Sequence, residues 1–233
     1  MSLAERDVAL RELMDDPECD PELLRATLRR FDTINRVVSG WGHIYRSRIR
    51  PYLSALDRPA RVLDLGCGGG DVMTHLAGRA ERDGLRAEWI GVDPDPRAIE
   101  VATARDAPTS VRFVCTDSSR LLADGERFDL VLSNHVLHHL SPDDLDVFTD
   151  ESRRLSQGLV MHGDIERGRV AYGLYTVWIT PFAPGTFLRT DGLRSIRRSY
   201  RQAELADVLG SPWRIERPFP FRVLAVAPGL AGD

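Results

Sequence analysis

The spacing of apolar and polar positions changes once along the chain. Up to about residue 57 apolar residues recur at helical spacing. Leu3, Val8, Leu10 and Leu13, interleaved with charges, predict a helix over residues 2–15. Pro17 and Pro21 punctuate, and Asp20-Pro21-Glu22 supplies an N-cap, a first-turn proline and an acid. That signature predicts a second helix to about Val38. Trp41 to Leu56 predicts a third, interrupted or restarted near Pro51.

Short apolar runs then alternate with amphipathic stretches. Strands are expected at Arg61–Leu65, Glu88–Val92, Val111–Cys115, Phe128–Ser133 and Leu159–His162. Helices are expected at Asp71–Arg82, Pro96–Arg105 and Pro142–Leu155. This rhythm predicts an α/β fold, a Rossmann-like doubly wound sheet covered on both faces. Residues 165–199 break it. Tyr172, Tyr175, Trp178, Phe182 and Phe187, with Pro181 and Pro184, predict an inserted cap, whose aromatics either wall an apolar pocket or fill its own small core. A helix over Tyr200–Leu209 and a strand pair at Trp213–Glu216 and Phe221–Ala227 complete the reading. The expected organisation is an N-terminal helical lid, residues 1–57, ahead of a ligand-binding domain, residues 58–233, with the cap inserted at about 165–199.

Composition narrows the chemistry. All 31 basic residues of the 233 are arginine, which excludes a Schiff-base lysine and a GK[ST] phosphate loop. A net charge of −4 gives no general attraction to nucleic acid or to an anionic membrane. Cys19, Cys67 and Cys115 stand far apart, with no CxxC, as suits a reducing cytoplasm. The first sixteen residues lack the apolar core of a signal peptide, and no apolar run approaches spanning length, so a cytoplasmic protein without stable membrane insertion is expected.

The stretch VLDLGCGGGDV, residues 62–72, concentrates the chemistry. Gly66, Gly68 and Gly70 follow the first strand, where a ligand needs close approach to backbone. The spacing is GxGxG. A dinucleotide loop would place glycine at 71, where this chain has Asp71. Asp64 and Asp71 would repel a diphosphate, whereas a cationic nucleoside would be welcome. S-adenosylmethionine carries a sulfonium and an ammonium against one carboxylate. Asp64 suits the ammonium, and amides at the helix start suit the carboxylate. Asp93, followed by Pro94 at the end of the second strand, suits ribose hydroxyls, as an acid about 20 residues past such a loop does in nucleotide folds. It would serve a nicotinamide nucleotide equally. Asp117, with Ser118 behind it, ends the third strand, where a carboxylate suits an adenine amino group.

These segments together resemble the class I S-adenosylmethionine-dependent methyltransferases. DLGCGGG is similar to that family's first motif, the Asp93 segment to its second, and FDLVLSNHVLHHL to its fourth-strand motif. The resemblance spans about residues 60–165. It implies a seven-stranded sheet whose last strand is antiparallel, Gly66, Gly68 and Gly70 along the methionine part of the donor, Asp93 at the ribose, Asp117 at the adenine, and Asn134 near the methyl. Upstream, RRFDTINRVVSGWGHIYRSRIRPYL resembles the quinone-biosynthesis methyltransferases, with Tyr45-Arg46 where those have a tryptophan-arginine pair. The remainder is similar to actinobacterial methyltransferases of polyketide phenols.

A phenolic acceptor, with a pKa near 10, would gain from a base. His135, His138 and His139 follow the fourth strand. The resemblance places His138 toward the substrate, and Asp164 at the end of the fifth strand is expected to orient it. His139 and His162 are expected to be structural. No third ligand type accompanies the three histidines at recognised spacing, so no metal is expected. Arg189, Arg194, Arg197, Arg198 and Arg201 form a basic cluster, either a solvated surface or a dock for an anionic group or acidic carrier protein. The expected function is methylation of a small, apolar, aromatic hydroxylated molecule, on oxygen in preference to carbon. A nicotinamide-dependent oxidoreductase and a non-catalytic donor-binding protein are the alternatives, and a homodimer is an open expectation.

Overall fold

The computed structural model describes residues 3–230, with the side chains of residues 36–38 left aside. Seven strands form one sheet: β1 Ala60–Leu65, β2 Ala87–Asp93, β3 Val111–Cys115, β4 Phe128–Asn134, β5 Ser156–Ile165, β6 Arg214–Glu216 and β7 Arg222–Pro228. Their spatial order is β3-β2-β1-β4-β5-β7-β6. β1 to β5 run parallel, and β7 pairs antiparallel with both β5 and β6. The order reverses between β1 and β4, so a crevice opens there beyond the strands' carboxyl ends. β4 is buried along its apolar length, as a central parallel strand covered on both faces must be.

Among the described residues, ten α-helices surround the sheet. α1 Pro21–Val38 starts on the Asp20 cap, whose carboxylate accepts from the Glu22 and Leu23 amides. α2 Trp41–Ile44 runs through a π-helical stretch, Tyr45–Ile49, into α3 Arg50–Ser54. The interruption foreseen at Pro51 is thus a widened helix just ahead of it. α4 Asp71–Arg82, α5 Pro96–Thr103 and α7 Pro142–Leu155 lie where periodicity puts them. α6 Ser118–Ala123 has one turn and a half, too short for a periodic signal, and rests on its Asp117 cap. The cap insertion consists of α8 Arg169–Trp178 and α9 Leu188–Arg198, and α10 Gln202–Leu209 follows.

The helix expected over residues 2–15 does not form within the described residues; residue 2 lies outside them. Residues 3–20 make an irregular strap. Tertiary partners replace the helical ladder. The Asp7 amide donates to the Arg197 carbonyl, and the Leu13 and Met14 amides donate to the Asp191 carboxylate at 2.8 and 3.0 Å. The strap's carbonyls are taken by arginines: Leu3 by Arg167 and Arg201, Arg11 by Arg194, and Asp16 and Pro17 by Arg97. These eight hydrogen bonds, to six residues fixed in space, outweigh a weak propensity. No helix among the described residues is long and apolar enough to cross a membrane.

The glycine loop meets the sheet closely. Gly70 caps α4 with φ 73°, and a Cβ there would strike the Phe113 ring and come within 3.2 Å of Ala102. Gly70→Ala is therefore expected to destabilise the fold by about 2 kcal/mol or more, through backbone strain and overpacking. Thermal melts check this; a variant that melts with the parent contradicts the packing described.

Candidate active site

β1 and β2 end beside each other and fix two acids. Asp64, the penultimate residue of β1, is 2% exposed and lines a cavity of about 920 Å³. Its Oδ1 is buried and makes no hydrogen bond among the described residues. Burial, with the carboxylates of Asp71 and Asp93 nearby, pushes its pKa well above the usual carboxylate range. Asp71, at the first turn of α4, differs: it accepts from Asn35 Nδ2 at 2.9 Å. Burial raises its pKa too, against the pull of Asn35 and Arg105. The flanking acids of the loop therefore differ: Asp71 ties α1 to α4, and Asp64 Oδ1 is left without a hydrogen-bond partner among the described residues.

Asp93 closes the loop from the side. The Gly68 amide donates to its Oδ2 and the Asp95 amide to its Oδ1, both at 2.9 Å. Each oxygen keeps a lone pair for a further donor. Burial raises its pKa, and these two amides pull it back. Gly66 has φ 69°, and a Cβ there would stand 2.7 Å from Val136 Cγ2. Gly68 has φ 53° and open space where a Cβ would be. Gly66, Cys67, Gly68, Gly69 and Pro94 line the cavity with Asp64 and Asp93. Gly70 does not, and its glycine serves packing.

Asn134 lines the cavity at the tip of β4. Its Oδ1 accepts from Trp41 Nε1 at 3.0 Å and from Arg222 at 2.8 Å, so α2 and β7 jointly fix it. Asp117 and Ser118 are not among the cavity's lining residues. Asp117 is engaged as the cap of α6, accepting from the Arg120 amide and the Ser119 hydroxyl, and Ser118 donates to Glu151 at 2.5 Å. Capping occupies Oδ1 of the carboxylate assigned to adenine, and Pro94, Asp95, Arg97 and Ala98 line the cavity.

A second polar part of the cavity is built on His138, in a 3₁₀ turn after β4. His138 Nδ1 lies 2.8 Å from Asp164 Oδ1, and its amide donates to Oδ2 at 2.9 Å. Asp164, on β5, thus contacts both the ring and the amide of His138. The other ring nitrogen lies 3.1 Å from Oε1 of Glu12, a strap residue that sequence reasoning missed. Despite burial, the two carboxylates raise the His138 pKa to about 9, and His138 holds that of Asp164 well below the usual range. Asp164 and Glu12 thus engage both ring nitrogens of His138. His162 is structural, as expected, held by Ser133 and Ser152 at 2.8 and 2.9 Å and kept neutral by burial, with a pKa of about 3.

Glu12, His138 and His139 bring one ligand-type atom each within 4.8 Å of one another, a spacing not foreseen without Glu12. His138 Nε2 also lies within hydrogen-bond distance of Glu12, which makes the group an ion-paired network. Apolar walls enclose the rest: Leu24, Leu28, Phe31 and Ile34 from α1, and Leu174, Tyr175, Val177 and Trp178 from α8. Of the cap's aromatics, Tyr175 and Trp178 thus face the pocket, and Phe187 packs with Leu24 and Leu28. The arginine cluster turns to the strap. Arg194 holds the Arg11 carbonyl, Arg197 pairs with Asp7, Arg201 holds the Leu3 carbonyl, and Arg198 holds the carbonyls of His138 and His139.

Residues 62–158 match the family model described as a methyltransferase domain. A ubiquinone biosynthesis O-methyltransferase of Brucella ovis is 36% identical over 118 residues, 49% of this chain and 44% of that protein. One of Agrobacterium fabrum is 31% identical over 160 residues, 68% of this chain and 56% of that protein. The chain thus spans about half the length of these relatives. Among solved structures, the plantazolicin methyltransferase BpumL, bound to a monoazolic desmethylPZN analog and SAH, superposes with a TM-score of 0.59 at 13% identity, covering 90% of this chain and 96% of that one. Human N-acetylserotonin methyltransferase with SAM gives 0.57 at 13% identity, covering 87% and 54%.

The His138 network predicts a pH dependence of stability. The folded pKa, about 9, lies above the ordinary 6.5. The imidazolium's contribution is therefore complete below pH 6.5 and lost as pH rises through about 9. Relative to the parent, His138→Gln should melt lower below pH 6.5, and the gap should shrink above pH 9. A gap that is constant across this range contradicts the assignment.

Proposed function

We propose that this chain, which has the fold and central domain of the class I S-adenosylmethionine-dependent methyltransferases, transfers a methyl group to a hydroxyl of a small, apolar, aromatic acceptor. The observation that carries the reading is Asp64 Oδ1, a buried carboxylate oxygen without a partner beside a glycine loop. It fits the donor's ammonium and disfavours a diphosphate. Bound there, S-adenosylmethionine supplies a methyl on a sulfonium, ready for in-line displacement.

The chain's own residues do the rest. Asp64 offsets positive charge, the loop amides receive the carboxylate, and Asp93 accepts from the ribose through its remaining lone pairs. The walls from α1 and α8 exclude water and hold the acceptor ring, so its oxygen meets the methyl at near-attack distance. His138, fixed by Asp164, brings a positive charge to the polar end of the cavity, favouring an oxyanion there. In this reading residues 1–57 close the pocket. Transfer to oxygen is supported by this polar end and by the O-methyltransferase relatives. A phenol, resorcinol or quinol matches the apolar walls with one polar terminus, and no nucleic acid does.

Tritiated methyl transfer to a panel of phenols, resorcinols and quinols tests this. Label should appear as an aryl methyl ether. His138→Ala should lower turnover by roughly a hundredfold with donor affinity unaltered. Label on carbon, or no transfer to any member of the panel, contradicts the proposal.

A further inference from the structure

The strap carries one acid into the cavity. Glu12 is 4% exposed and lines the cavity beside His138 and Ser195. Isolated on an irregular segment, it would have no reason to be buried. α9 supplies the reason: Asp191 takes the amides of Leu13 and Met14, Arg194 takes the carbonyl of Arg11, and the Ser195 hydroxyl donates to Glu12 Oε1 at 2.7 Å. One face of one helix thus grips four consecutive strap residues and aims the carboxylate inward.

The two oxygens of Glu12 have unequal surroundings. His138 Nε2 and Ser195 both bond to Oε1, and no hydrogen bond among the described residues reaches Oε2. His138 itself has no free nitrogen, since Asp164 holds Nδ1 and Glu12 holds Nε2. The open acceptor at this end of the cavity is therefore a carboxylate oxygen.

We propose that Glu12 is the catalytic base of the transfer: its Oε2 takes the proton of the acceptor hydroxyl, while Asp191, Arg194 and Ser195 hold it in position. The inference rests on the methyltransferase reading above. As the acceptor's O–H bond breaks, its electron pair stays on oxygen and forms the O–CH₃ bond. The donor's C–S bond breaks, its pair goes to sulfur and cancels the sulfonium charge, and the proton resides on Glu12 until it is lost to water after product leaves. His138 keeps Glu12 ionised beforehand, against the effect of its burial.

The test separates base catalysis from folding. Phenol, catechol and resorcinol are each paired with a nitro derivative that is already anionic at mildly alkaline pH, and Glu12→Gln is compared with the parent on both. A base is needed only for the neutral hydroxyl. On the plain phenols Glu12→Gln should lose roughly a hundredfold in kcat, with KM and SAH affinity within about threefold. On the nitro derivatives its kcat should stay within about threefold of the parent, and Glu12→Asp should recover part of the rate on plain phenols. Equal losses on both sets make Glu12 merely structural and overturn the proposal. Parental turnover that is lost on chelation and restored by Mg²⁺ overturns it by making Glu12 a metal ligand. A parent protein that methylates none of the six compounds contradicts the methyltransferase reading itself, and this role falls with it.

Discussion

One buried carboxylate oxygen sets the terms for this molecule. Asp64 Oδ1 has left water without gaining a partner among the described residues, and a charge in that position is costly unless something positive meets it. Strand β1 cannot move the residue aside, since Asp64 is paired in register with Gly91 of β2 and Leu132 of β4 at the centre of the sheet. The cost is a standing preference for a cationic ligand. The glycine loop above it, pinned to Asp93 through the Gly68 amide, offers backbone donors to such a ligand's anionic end. Donor specificity is thus a property of the sheet's switch point, where geometry is stiffest.

The acceptor end is built on a different principle. There the walls are helices and an irregular strap, held by arginines that bond to carbonyls. Arg167 is buried and bonds to the Leu3 and Ser199 carbonyls, and Arg198 bonds to the turn carrying His138. An arginine fork satisfies several buried carbonyls where no regular ladder exists. A chain without lysine can therefore roof a cavity with non-helical backbone. The apolar residues of α1 and α8 then shape the space, and the charged trio Glu12, His138 and Asp164 marks one end of it.

Legibility in the sequence followed this division. The sheet, its loop acids and the helices α4, α5 and α7 were readable because burial in a parallel sheet enforces period and because turns demand glycine. The strap was not. Leu3, Val8, Leu10 and Leu13 have helical spacing, yet Val8 is 67% exposed and Glu12 is buried, the reverse of an amphipathic helix. Distant partners on α9 decide that segment, and no local rule contains them. Asp117 shows a second use of such a residue: a carboxylate at a strand end serves as a helix cap, and the turn-and-a-half helix beyond it had no periodic signature. Glu12 had no signal at all. Asn35 had one, since it stands in the FDTIN stretch that carries the resemblance, and its bond to Asp71 gives that stretch a physical purpose.

The central claim is that Asp64 selects a positively charged adenosyl donor. Titration calorimetry of the full chain with S-adenosylmethionine and with NADH, on the parent and on Asp64→Asn, tests it most directly. The account predicts binding of S-adenosylmethionine alone, weakened about tenfold or more when the carboxylate becomes an amide. Binding of NADH to the parent, or an affinity for S-adenosylmethionine that Asp64→Asn leaves unchanged, would contradict it.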